Sequence, residues 1–196
     1  MRRVIGRAMV VALTSGAVVW IVGTTGLAAL GESPQAGPAA SDVDRGKYLV
    51  TALVCNDCHT PFKMGDNGPE PDMTRMLSGH PSDIALPPPP KPNGPWIVSG
   101  AATFTAWAGP WGISYTANLT PDKDTGLGTW TAQQFIDTIR NGRHQGHGRA
   151  LLPPMPWSWY RNLTDEDLKA VFAYLQSIPP IKNKVPDPVM AAPTGQ

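Results

Sequence analysis

Cysteine is nearly absent: the 196 residues hold two, Cys55 and Cys58. A disulfide framework is therefore not what holds this chain together, and its length suffices to bury a core without one. An excess of one charge is also lacking. The net charge is +1, and the first 31 residues carry Arg2, Arg3 and Arg7 but no acid. The remainder has 13 basic and 15 acidic residues, a net of −2. That balance excludes a nucleic-acid binder, which needs a basic face. Charge is missing altogether from residues 8–31. Behind three arginines, this stretch reads as an export segment. It exceeds the roughly 7–15 apolar residues of a signal peptide and matches the roughly 20 of a membrane span. Its length favours an uncleaved anchor through residues 8–31, with the arginines left inside. Small residues near Ala28 and from Ala36 to Ala40 leave a cleaved signal open.

What the chain has in excess is 22 prolines and 20 glycines. Such a composition predicts long ordered loops, and seven tryptophans argue against disorder. Both cysteines fall in one motif, Cys55-Asn56-Asp57-Cys58-His59. On a helical turn, residues three and four apart share a face. Two thiols can then each form a thioether to a haem vinyl group, with the imidazole of His59 beneath the iron. C-x-x-C-H is the attachment signature of c-type haem. The motif therefore predicts one haem c, held covalently by Cys55 and Cys58 and ligated by His59. A redox dithiol would need a βαβ context that the flanks do not supply. A structural zinc site would need a fourth ligand.

Residues 32–41 read as a linker. A helix follows, capped by Ser41 or Asp42, with Val43, Tyr48, Leu49, Ala52 and Leu53 as a partial apolar face. Gly46 in its middle suggests close approach by another element. Residues 60–117 are cut by proline and glycine, including Pro87-Pro88-Pro89-Pro90. They predict an elaborated loop over one haem face and edge, with a short turn near Met73–Leu77 and a hairpin near 96–106. Asp122 and Asp124 lie in a turn without the ligand pattern of a calcium loop. Thr131 caps a second helix over 132–141, closed by Gly142, with Phe135, Ile136 and Ile139 on one side. The basic loop 140–149 carries Arg140, Arg143, His144, His147 and Arg149, suited to haem propionates or an acidic partner.

Met155 stands in Pro153-Pro154-Met155-Pro156-Trp157. Proline on both sides narrows its backbone choices, which suits a thioether held at a fixed spot. Met155 is accordingly the expected distal ligand, ahead of Met64, Met73, Met76, His80, His144 and His147. Trp157, Trp159 and Tyr160 are expected to keep water from the iron. A last helix starts after Thr164, with Asp165, Glu166 and Asp167 in its first turn, and ends before Pro179-Pro180. Its stripe is Leu168, Val171, Phe172 and Leu175. Residues 181–196 read as a proline-rich tail with little to bury.

The run from Asp44-Arg45-Gly46-Lys47-Tyr48-Leu49 to the haem motif resembles the opening of a class I cytochrome c. That resemblance implies that the C-terminal helix crosses the first helix at Gly46, with Tyr174 against it. Asn118-Leu119-Thr120-Pro121-Asp122, Thr125 to Trp130 and Leu152 to Trp157 are similar to cytochrome c domains of bacterial periplasmic dehydrogenase complexes. The resemblance covers roughly residues 42–185. It departs in having a single C-x-x-C-H and a long 63–114 stretch. It implies redox partners: a periplasmic dehydrogenase as donor and an oxidase or other cytochrome as acceptor.

The expected fold is mainly α, a class I cytochrome c-like domain over 42–185 with long proline- and glycine-rich loops around one haem. Segments 1–31, 32–41 and 186–196 flank it as export segment, linker and tail. The expected function is single-electron transfer, without catalysis, on the periplasmic side of the bacterial inner membrane, anchored or released. The alternative is a peroxidase-like haem enzyme or gas sensor with an open distal site.

Overall fold

The computed structural model describes residues 41–91 and 94–191. The expected export segment, nearly all of the linker and the end of the tail lie outside the described residues. Among the described residues, no helix is long and apolar enough to cross a membrane.

Helix α1 (Asp42–Ala52) is capped by Ser41, whose Oγ accepts from the Asp44 amide at 3.2 Å. It packs on α5 (Asp165–Ser177), capped by Thr164. The crossing occurs at Gly46. A Cβ there would lie 1.9 Å from the Ala170 carbonyl oxygen and 2.8 Å from Tyr174 Cβ. Tyr174 is thus beside Gly46, as expected, but the backbone of Ala170 makes the closest contact. This crossing decides which face of α1 is buried. Gly46, Leu49 and Val50 point inward, whereas Val43 and Tyr48, expected in the apolar face, are exposed. Tyr48 lies under the Arg45 guanidinium instead, 5.8 Å from its ring centroid. Arg45 also ties the two helices from outside, its Nη2 donating to Asp167 at 2.8 Å.

Helix α3 (Ala132–Asn141) has a capping box between Thr131 and Gln134 and ends at Gly142 in a left-handed turn. Phe135, Ile136 and Ile139 are buried as expected, and Phe135 meets Phe172 of α5 with ring centroids 5.5 Å apart. Two short helices are α2 (Cys55–His59) and α4 (Trp157–Tyr160). The core is one cluster built on Leu49, Val50, Leu77, Ile136, Leu168 and Leu175.

The mainly-α expectation needs amending between α2 and α3. Strands β1 (Phe62–Gly65) and β2 (Gly68–Pro71) form one antiparallel hairpin. A second sheet has the order β3 (Ser99–Gly100), β4 (Ala106–Gly109), β5 (Gly112–Tyr115), β6 (Val189–Met190), all antiparallel. The hairpin expected near 96–106 is β3–β4, which pairs Ser99 with Ala108 and Gly100 with Trp107; a second turn at Pro110-Trp111 then joins β4 to β5, and Trp96 is exposed. Met73–Arg75 form the expected short turn, as a 3-10 helix. The chain after α5 also differs from a tail with little to bury. Asn183 is buried, and β6 joins the sheet beside β5.

Candidate cofactor site

The site begins where α1 stops. Val54, two residues past the end of α1, caps the start of α2 in a left-handed conformation, φ 52°. Such backbone is unfavourable by about 1–2 kcal/mol for a residue with a Cβ. It is held by bonds on both sides: the Val54 amide donates to Thr51 O at 3.1 Å, and the Asp57 amide donates to Val54 O at 3.0 Å. This reversal sets Cys55, Cys58 and His59 along one wall of a cavity of about 590 Å³. That volume lies within the roughly 300–1,000 Å³ of cofactor-sized pockets. Phe135 and Ile139 of α3, and Leu168, Val171 and Leu175 of α5, supply apolar walls.

His59 is buried, and its Nδ1 lies 2.8 Å from the Ala117 carbonyl oxygen. A carbonyl only accepts, so Nδ1 carries the hydrogen and donates it. Burial pushes the His59 pKa below its ordinary value, opposed by that hydrogen bond. The ring is therefore neutral, with its lone pair on Nε2, the form that binds a metal. The backbone of His59 is pinned as well: its carbonyl accepts from the Gly79 amide at 2.8 Å. Next to it, Thr60 Oγ1 donates to Asn56 and accepts from the Leu77 amide, each at 2.9 Å.

The two thiols are not poised as free nucleophiles. Burial first, with smaller contributions from Cys58 and Asp57, pushes Cys55 up to about 11. Burial and Asp57 raise Cys58. A redox dithiol of the thioredoxin type works through a depressed thiol pKa, the opposite of what this pocket provides. Tyr160 lines the same cavity and donates its hydroxyl to the Leu53 carbonyl at 2.6 Å.

Met155 also lines the cavity, partly buried against the core. Its loop is tied to the sheet by Ser114, whose Oγ donates to the Pro153 carbonyl at 2.6 Å. Of the competing ligands, only His144 reaches the cavity wall, and its ring sits edge-on to Trp130 at 4.9 Å. Met64 and Met73 are exposed and His80 is fully buried elsewhere. Met76 is partly buried against the core, and neither it nor His147 lines the cavity. The expected aromatic wall reduces to Tyr160, because Trp159 is exposed and Trp157 packs on Gly142 and Arg161. In the basic loop, Arg149 reaches the cavity, whereas Arg140 is paired with Asp165.

The donor set fits a c-type haem: two thiols, a neutral imidazole with Nε2 available and a thioether, around an apolar space of cofactor size. Several contributors escape a reading of residue types. The Ala117 carbonyl is a backbone atom, and Ser114 stands in no motif. Asn118 carries a faint signal, since Asn-x-Thr favours a side-chain turn. Its Oδ1 accepts from the Thr120 amide at 3.0 Å, and its Nδ2 donates to Ile181 O at 2.8 Å. Asp122 closes the next turn, accepting from the Thr125 amide at 2.8 Å and from its hydroxyl at 2.6 Å. That carboxylate oxygen is occupied by its own loop, as a solvated turn requires.

Residues 43–179 match the family model described as cytochrome c. Over 158 residues, 81% of its length, the chain is 38% identical to a nicotinate dehydrogenase subunit of Pseudomonas putida, covering 10% of that protein. It is 30% identical to the fructose dehydrogenase cytochrome subunit of Gluconobacter japonicus over 82% of its own length and 26% of that protein's. It is 32% identical to the gluconate 2-dehydrogenase cytochrome c subunit of Pantoea cypripedii, over 79% of its own length and 26% of that protein's. The chain thus spans only about a quarter or less of these relatives.

Proposed function

Because the chain belongs to the cytochrome c family, in which the domain implies covalently bound haem c, we propose that it is a mono-haem electron carrier. In this reading Cys55 and Cys58 would hold the haem covalently, and His59 and Met155 would ligate its iron. It passes single electrons from a dehydrogenase to an oxidase or another cytochrome, on the periplasmic side of a bacterial inner membrane. Residues 8–31 tether it there if they stay uncleaved.

The observation that carries this reading is the His59–Ala117 hydrogen bond, 2.8 Å long inside a cavity that Met155 also lines. When bound, the haem supplies an iron that exchanges one electron at a time. The protein's part is to hold the site rigid. Ala117 fixes the imidazole tautomer and ring plane. Ser114 and the flanking prolines restrain the Met155 thioether. With both His59 and Met155 bound to its iron, the haem would have no place for a substrate, so these residues favour electron transfer over catalysis. Histidine with methionine raises the potential of such an iron. The relatives' names support a dehydrogenase as donor, since each is a dehydrogenase subunit and two are cytochrome subunits.

The test is optical. The purified holoprotein should contain one haem per chain, and its ferric form should show a weak red charge-transfer band. Met155→Ala should abolish that band and lower the midpoint potential. If the wild type lacks the band and its ferrous form binds CO rapidly, Met155 is not a ligand and the electron-carrier assignment fails.

A further inference from the structure

The match to the family model ends at residue 179, yet the cavity wall does not. Lys184, Val185, Pro186, Asp187 and Pro188 all line it. This stretch is a strap, fastened at both ends. At its near end the Asn183 side chain is buried and makes three bonds. Nδ2 donates to Ser78 O at 2.7 Å and His80 O at 2.9 Å, and Oδ1 accepts from the Ser82 amide at 2.9 Å. The Asn183 amide donates to Thr125 Oγ1 at 3.0 Å, and the Ile181 amide to Thr120 Oγ1 at 3.0 Å. At its far end Ile113 and Gly112 pair with Val189 and Met190, and the Ala191 amide donates to Trp111 O at 3.0 Å. Gly112 allows this approach: its φ is 106°, and a Cβ there would lie 2.0 Å from Val189 O.

Five residues strung between two fixed points gain nothing for the core, since none of them belongs to it. Three of the five, Val185, Pro186 and Pro188, are apolar. The two prolines have no amide hydrogen and need no partner there. They can therefore face an apolar cavity without leaving a buried donor unpaired.

We propose that the strap Lys184–Pro188 is part of the haem-binding site, an added wall that shields the cofactor from water and raises its reduction potential. The proposal rests on the haem reading above. Its physical basis is charge: ferric iron carries one more positive charge than ferrous, and a low-dielectric wall disfavours the more charged state. Admitting water relieves that penalty and stabilises the ferric form.

Two holoprotein variants test it. One is the chain ended after Lys184, which keeps Asn183 and its bonds. The other is full-length Val185→Ser/Pro186→Ser/Pro188→Ser, which keeps both fastenings. Both should retain one covalent haem per chain. Both should show a lower midpoint potential and a several-fold faster bleaching of the haem by hydrogen peroxide. If the truncated chain fails to fold, the full-length variant decides. Unchanged potential and bleaching, with haem attached, would overturn the strap's role and leave the haem reading standing. Absence of covalent haem from the wild type would instead overturn the haem reading.

Discussion

Gly46→Ala separates two opposing physical effects by sign. In an isolated helix, alanine is better than glycine by about 0.8–1.0 kcal/mol, so propensity alone predicts a more stable protein. The α1–α5 crossing predicts the reverse. The new Cβ would lie 1.9 Å from the Ala170 carbonyl oxygen and 2.6 Å from its carbon. These are backbone atoms, which no rotamer change can move aside. Relief requires α1 to back away from α5, loosening Leu49 and Val50 from the core. Overpacking of this kind destabilises by about 1–3 kcal/mol, and a rigid backbone contact belongs at the upper end. Subtracting the propensity gain leaves a net loss of about 2 kcal/mol. For a domain of about 150 residues, that lowers Tm by roughly 4–8 °C. Thermal and guanidinium unfolding of the holoprotein, followed by circular dichroism, measure it. A Gly46→Ala protein as stable as wild type, or more so, would refute the close crossing.

His80 is buried, with Nδ1 2.9 Å from Thr105 Oγ1, and burial lowers its pKa below the ordinary 6.5. The unfolded chain then binds the proton more readily than the folded one. Stability should be full above about pH 6.5 and fall as pH drops below it, and His80→Gln should flatten that slope in guanidinium midpoints measured from pH 7 to 5. A slope unchanged in the variant would assign the loss to other groups. Ser114→Ala removes the tie between β5 and the Met155 loop, with an expected loss of about 1 kcal/mol. It should also weaken Met155 ligation, read as faster binding of exogenous imidazole to the ferric protein. An unchanged rate would mean that the prolines alone hold the loop.

How much of this is legible in the sequence depends on how local each signal is. Helix α3 can be read end to end because its determinants lie within one turn of it: Thr131 and Gln134 at the start, Gly142 at the stop. Helix α5 is legible for the same reason at Thr164. The inward face of α1 is legible only in part: Gly46 and Leu49 are buried as expected, whereas Val43 and Tyr48 look apolar and are exposed. A contact 124 residues away, at Ala170, chooses that face. The β-strands mostly escape a sequence reading because they are short and lack alternation. Strand β2 reads Gly-Pro-Glu-Pro and is strand only because β1 lies beside it. In the site, side chains with a chemical signature can be found, and backbone groups cannot. Cys55, Cys58, His59 and Met155 do line one cavity. The Ala117 carbonyl, which orients His59, would be the same atom on almost any residue.

The site itself is built along the same division. The regular elements α3 and α5 supply the apolar walls, but the polar restraints on the candidate ligands come from outside these helices. His59 answers to Ala117 and Gly79, and the Met155 loop answers to Ser114 at the sheet. Asn118 and Asn183 then join the Ala117 segment to the strap, since Asn118 Nδ2 reaches both Ile181 O and Asn183 O. Stability and cofactor environment should thus be separable. Changes at the α1–α5 crossing act on folding, whereas changes in the strap leave the helical core intact and act on the space around the haem.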